Sequence, residues 1–139
     1  MTDDYELFNA YRQTDFCADT PLGRIVIQIG HTNSTLDALL RETGHAMWAY
    51  ITAFNPASVR VNAAENEAQQ QDLEEAVRQL GHPIYPGEGI GRDTAWPPER
   101  SILVLGIERA AAIRLGRRFG QRAVVVGEFN SAAELVSCK

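Results

Sequence analysis

The sequence predicts an α+β protein with a ferredoxin-like βαββαβ core, extended at its front by a helix and a β-hairpin. Three observations carry this expectation. Between Met47 and Val126 the apolar pattern runs strand, helix, strand, strand, helix, strand, the order in which two helices cover one face of a four-stranded antiparallel sheet. The stretches 47–54, 101–105 and 123–126 are almost continuously apolar, as strands covered on both faces are. The 139 residues, 45% of them apolar, supply one sizeable core, so residues 1–139 read as a single domain. The alternative is a mixed sheet in which the hairpin joins the core strands and helices cover both faces.

From the start of the chain, Leu7, Phe8 and Tyr11 fall on one helical face between Asp3 and Gln13, with Thr2 or Asp3 able to cap the first turn. Residues 16–18 and 24–29 flank Asp19-Thr20-Pro21-Leu22-Gly23, and Ile25, Ile27 and Ile29 alternate inward, which predicts a hairpin. Ser34-x-x-Asp37 resembles a capping box before Leu36, Leu39 and Leu40, and Gly44 can end that helix in a left-handed conformation. The run 47–54 is the candidate central strand and stops at Asn55-Pro56, a turn-forming pair. Asn62-x-x-Glu65 opens a helix that carries Leu73, Ala76, Val77 and Leu80 inward and ends at Gly81. Pro83-Ile84-Tyr85 predicts a short strand, and the glycine and proline density of residues 86–100 predicts a long loop. A strand over 101–105, a helix from Glu108 to Phe119, a strand over 123–126 and a frayed tail at about 130–139 complete the expectation.

Charge and composition narrow the function classes. A formal net charge of −5 gives no general attraction to phosphate backbones, so non-specific nucleic-acid binding is not expected. The first residues are acidic where a secretory signal is basic, and no apolar run approaches the roughly 18 residues of a spanning helix, which reads as a cytoplasmic protein without a membrane partner. Cys17 and Cys138 form no Cys-x-x-Cys pair, and His31, His45 and His82 have no ligand spacing. Free thiols, no metal and no cofactor are expected.

Candidate sites come from the loop and from polar residues at the edges of apolar elements. Gly87, Gly89 and Gly91 can let backbone amides approach an anion, although no Gly-Lys-Ser or Gly-Lys-Thr follows. Trp96-Pro97-Pro98 can stack on a ligand ring or close the loop over the core. Asn66 lies seven residues before Leu73 and therefore points inward, where an amide needs partners; Asn55, Ser101 and Gln121 are the candidates. Together with Glu99 and Arg122 these residues form a candidate polar pocket for a ligand, or else a buried polar network that orders the loops. Glu65 and Glu99 are the carboxylates available for acid/base work, while Glu65 also has a helix-capping explanation. Arg109, Arg114, Arg117, Arg118 and Arg122 occur without an acid between residues 109 and 122, so the rest of the chain carries about −10. Arg109, Arg114, Arg117 and Arg118 form a stripe that could meet an acidic protein or a nucleotide phosphate, or else pair with the acidic helix of Glu67, Glu74 and Glu75. An exposed Ile113 among them would favour a protein contact.

The assembled residues resemble a bacterial family known as domain of unknown function 3293. The stretches are Ala10-Tyr11-Arg12-x-Thr14, Ile51-Thr52-Ala53-Phe54-Asn55-Pro56-x-Ser58, Glu65-Asn66, Trp96-Pro97-Pro98-Glu99-x-Ser101 with Leu105-Gly106-Ile107, and Leu115-Gly116-Arg117-x-Phe119-Gly120-Gln121-x-Ala123. The resemblance implies no substrate, cofactor or catalytic residue. Two function classes follow from the residues themselves. One is a non-catalytic binding or regulatory domain organised by the polar pocket. The other is a small hydrolase or nucleotide-processing enzyme with Glu65 or Glu99 as general base and Arg122 or the glycine loop on a phosphate, which requires the two carboxylates to converge.

Overall fold

The computed structural model describes residues 4–55, 59–92 and 97–138. The chain forms helix α1 (Asp4–Arg12), strands β1 (Asp15–Thr20) and β2 (Gly23–Ile27), helix α2 (Ser34–Thr43) and strand β3 (Met47–Ile51). Helix α3 (Ala63–Gln79), strands β4 (Ile84–Ile90) and β5 (Glu99–Leu105), helix α4 (Arg109–Arg118) and strands β6 (Ala123–Glu128) and β7 (Glu134–Ser137) follow. The strands build one seven-stranded sheet in the order β2-β1-β4-β5-β3-β6-β7, with every ladder antiparallel. The sheet is curled. Beyond β2, the Gly30 N–H donates to the Ala133 carbonyl (2.8 Å), and Ile29 and Ala133 form an isolated parallel bridge, so the two edges meet.

Strand alternation then sorts the side chains. On the convex face Ala49, Ile51, Ile102, Val104, Val124 and Val126 pack against Leu73 and Val77 of α3 and Ala112, Leu115 and Phe119 of α4. On the concave face Trp48, Tyr50, Leu103, Leu105 and Val125 share a cluster with Ile25, Ile27 and Ala133 from the edges and with Leu36, Leu39 and Leu40 of α2. The hairpin therefore joins the sheet through β4, Phe16 opposite Gly89 and Cys17 opposite Glu88, and helices cover both faces.

Several expectations need correction. The stretch 86–100 is not a long loop, because β4 continues through Gly87 and Gly89 to Ile90 and β5 begins at Glu99. Pairing on both sides overrides the poor local propensity of glycine and proline. Pro86 lies opposite Ile102 of β5 but one residue beyond the β1 ladder, which begins at Gly87 opposite Ala18. Gly87 is required for a steric reason. The Tyr50 hydroxyl donates to the Cys17 carbonyl at 2.6 Å, and a Cβ at position 87 would collide with that carbonyl oxygen. The expected frayed tail instead forms β7 along β6, with Val136 and Cys138 buried. Its four residues carry too little alternation to register as a strand by themselves.

At the helix termini, Asn33 rather than Ser34 caps α2, accepting from the Leu36 N–H at 2.9 Å. Asp37 instead accepts from the Asn130 N–H (2.8 Å) after β6. Gly44 ends α2 at φ +74° as expected. Leu80, expected inward, is exposed because α3 has already ended at Gln79. The central strand is shorter than its apolar run: β3 stops at Ile51, and residues 52–55 are irregular. The expected caps Thr2 and Asp3, Pro56 of the predicted turn, and Trp96 lie outside the described residues.

Candidate functional site

Along the concave face the strands run from apolar to polar. In β5 the residues facing inward are Leu105, Leu103, Ser101 and Glu99, and the corresponding series is Trp48 and Tyr50 of β3 followed by Thr52 just beyond it. The apolar end is filled by α2. At the polar end, beneath α1, lies a cavity of about 460 Å³. Leu7, Ala10 and Tyr11 of α1 line it, with Thr14 and Phe16 beside them and Gly89, Gly91 and Arg92 at the end of β4. Asn55, Glu99, Ser101 and Gln121, four of the six candidate pocket residues, line it as well.

The segment leaving β3 is held by side chains from three other elements. Asn55 adopts φ +48°, a left-handed conformation that asparagine tolerates better than most residues. Its N–H donates to Asn66 Oδ1 (2.8 Å), Asn66 Nδ2 donates back to Asn55 Oδ1 (3.0 Å), and the Val61 N–H reaches the same oxygen at 3.1 Å. Asn55 Nδ2 donates to Glu99 Oε2 at 2.5 Å. Gln121 Nε2 donates to the Phe54 carbonyl (3.1 Å), and Thr52 Oγ1 donates to the Arg100 carbonyl (2.7 Å) while accepting from the Phe54 N–H (3.0 Å). Asn66 is buried behind Asn55 and does not line the cavity. It positions the residue that positions Glu99.

Sequence reasoning missed Gln70 and Tyr50. Gln70 accepts from the Ala53 N–H at 2.9 Å and is fully buried. It follows Asn66 by four residues, so helical spacing places it on the same inward face. Tyr50 alternates with Trp48, and a buried phenol needs a partner. Its ring meets Phe16 edge-on, with centroids 5.3 Å apart, to form one wall of the cavity. Burial pushes the phenol well above its ordinary pKa, against the opposing effect of the nearby Ser101 hydroxyl. Ser101 Oγ donates to the Glu99 carbonyl at 2.9 Å.

The remaining candidates lie elsewhere. Glu65 is exposed on the first turn of α3, where its carboxylate accepts from the Asn62 side-chain amide, Nδ2, at 3.1 Å. It does not line the cavity, so the two carboxylates do not converge. Arg122 does not line it either, and its carbonyl accepts from the Cys138 N–H at 2.9 Å. Gly87 is committed to the β1 contact, whereas Gly89 and Gly91 face the cavity.

Among the described residues no ion pair joins the arginine stripe to the acidic helix. Glu67 and Glu74 meet Arg100 at 2.6 and 3.2 Å, and Arg78 lies 3.6 Å from Glu74. Residue 100 alternates with Glu99 and so faces α3, where it takes those acids. Arg109 pairs with Glu134 at 3.1 Å, Arg117 Nε donates to the Cys138 carbonyl at 2.7 Å, and Arg118 lies over the Phe119 ring. Ile113 is half-buried against the convex core, which removes the argument that rested on its exposure. Both cysteines are buried thiols, and burial raises the Cys138 pKa above its usual value. Among the described residues no group of three or more His, Cys, Asp or Glu could hold a metal ion, and no helix is long and apolar enough to cross a membrane.

The fold and cavity define an α+β protein with four described helices and a curled antiparallel sheet that opens beneath its first helix. The chain belongs to the family described as Protein of unknown function (DUF3293), whose model matches residues 51–124. No curated protein and no solved structure matches the chain.

Proposed function

We propose that the protein is a non-catalytic binding or regulatory domain whose ligand is a small organic molecule held in the cavity beneath α1. One observation carries this reading. Asn55, Glu99, Ser101 and Gln121 are far apart in sequence, yet all line one cavity with Tyr11, Phe16, Tyr50 and Phe54. A few convergent polar groups on a largely apolar, aromatic wall are what small-molecule sites share, and about 460 Å³ falls within their usual size. The stretches that carry the family resemblance supply Tyr11, Thr14, Asn55, Glu99, Ser101 and Gln121, all of them lining residues.

The enzyme alternative loses its paired carboxylates, since Glu65 is engaged with Asn62 away from the cavity. The arginine stripe is a weaker contact for an acidic protein or nucleotide, because Arg109, Arg117 and Arg118 are engaged within the chain. We further read β4-β5-β3-β6 with α3 and α4 as a ferredoxin-like core within a single domain, on the support of that strand order.

Gly89 provides the test. A Cβ there meets only the Phe16 ring and the Thr14 methyl, both at 3.8 Å and neither of them backbone, so Gly89→Val is the substitution chosen to fill the cavity that residue 89 lines. Thermal-shift screening of nucleotides, phosphates, divalent metals and small amines should find a class that stabilises the wild type, by about 2.7 kcal/mol at 100 times its Kd, and not Gly89→Val. Equal stabilisation of both proteins would overturn the cavity as the site.

A further inference from the structure

We infer that the ligand of this cavity is an organic cation, an ammonium or amidinium group bound at Glu99 with its apolar body among the aromatic rings. The inference rests on the reading of the cavity as a ligand site and adds the chemistry of the ligand. Glu99 is the sole acid among the described lining residues, it is half-buried, and Asn55 Nδ2 holds its carboxylate in place. A carboxylate lining a largely apolar cavity offers an ammonium or amidinium group charge-assisted hydrogen bonds. The walls act in the same direction. Tyr11, Phe16, Tyr50 and Phe54 bring four aromatic rings to the cavity, and ring faces attract cations.

The opposite charge is less well served. Arg92 is the sole cationic side chain among the described lining residues, and it is exposed at the end of β4, where solvent and salt screen it. An anion entering past Arg92 would meet Glu99 in the same cavity. Ser101 and Gln121 can orient a polar edge of the ligand, but they carry no charge and do not select its sign.

The test compares three compounds of one shape: benzamidine, benzamide and benzoate, titrated by ligand-observed NMR into wild type, Glu99→Gln and Gly89→Val. Benzamidine should bind wild type at least about tenfold more tightly than benzamide, a difference of about 1.4 kcal/mol, with benzoate weakest. In Glu99→Gln the preference for benzamidine should vanish while benzamide binding stays, and Gly89→Val should lose both. If benzamide or benzoate binds wild type as well as benzamidine, and Gly89→Val still abolishes binding, the cationic ligand is overturned and the cavity reading stands. If no compound binds, or Gly89→Val binds like wild type, both readings fail. Retention of the preference in folded Glu99→Gln overturns the role of Glu99. The wild-type comparison decides the sign of the charge even if Glu99→Gln does not fold.

Discussion

On the convex face of the sheet, α3 and α4 lie directly on β3, β5 and β6, and the interface is filled by Leu73, Val77, Ile102, Val104 and Leu115. On the concave face of the same strands, α2 fills one end and a cavity of about 460 Å³ remains under α1 at the other. The contrast teaches that the fold keeps open space on one face of the sheet while the other face is closed. Each strand contributes alternate residues to both faces, so a change of one position in β5 moves from the fully buried Ile102 to cavity-lining Ser101. The family match, residues 51–124, spans α3 and α4 and contributes Glu99, Ser101 and Gln121 to the cavity. Tyr11 and Phe16, which line the same cavity, precede the match.

The largest expected effect would break the convex side. Leu73→Ala removes a fully buried side chain between α3 and the sheet and should cost about 2–5 kcal/mol in urea unfolding, with the sites on the concave face merely carried along. A loss below about 1 kcal/mol would contradict a sealed convex core. Asn66→Ala comes next. It strands the Asn55 N–H and one partner of Asn55 Oδ1, so stability should fall by about 1–3 kcal/mol. A stable but ligand-blind Asn66→Ala would instead make Asn66 part of the binding surface.

Tyr50 sharpens the comparison through pH. Its phenol is raised by burial, so the folded protein retains a proton that the unfolded chain loses above about pH 10. The contribution is complete below that pH and declines as pH rises beyond it, by about 1.4 kcal/mol per pH unit. Tyr50→Phe should remove that slope relative to wild type and cost about 1 kcal/mol at neutral pH for the lost bond to Cys17, both measurable from urea midpoints on either side of about pH 10. The smallest expected effect is Gly89→Val. A Cβ there makes only ordinary van der Waals contacts with Phe16 and Thr14, and valine suits a strand, so stability should change by less than about 1 kcal/mol while the cavity shrinks. A large destabilisation would mean that the concave face is as tightly filled there as the convex one.

Much of this was legible residue by residue. Spacing from Leu73 places Asn66 inward, and the Asn62-x-x-Glu65 pattern marks the start of α3, where Asn62 accepts from the Glu65 N–H at 2.8 Å. The almost continuous apolar runs 47–54 and 101–105 mark strands covered on both faces, and their residues do divide between the two core clusters. Residues 86–90 were illegible because their strand is held by ladders to β1 and β5, not by propensity. The ion pairs went the same way. Glu67 and Glu74 looked like partners for the α4 arginines, but Arg100, one residue from Glu99, reaches them from β5.

By itself the sequence determined local matters: helix spacing, the Asn62 cap of α3, the Gly44 terminator of α2, and the inward side of the hairpin at Ile25 and Ile27. These depend on backbone periodicity and on groups within a few residues of one another. Only the tertiary structure decided that β4 pairs with β1, that β7 closes against β6, and that the sheet curls until residues near Ile29 meet Ala133. Those contacts bring Tyr11 and Phe16 to Asn55, Glu99, Ser101 and Gln121. They rest on hydrogen bonds and packing between segments distant in the chain, and no local pattern specifies which partner completes them.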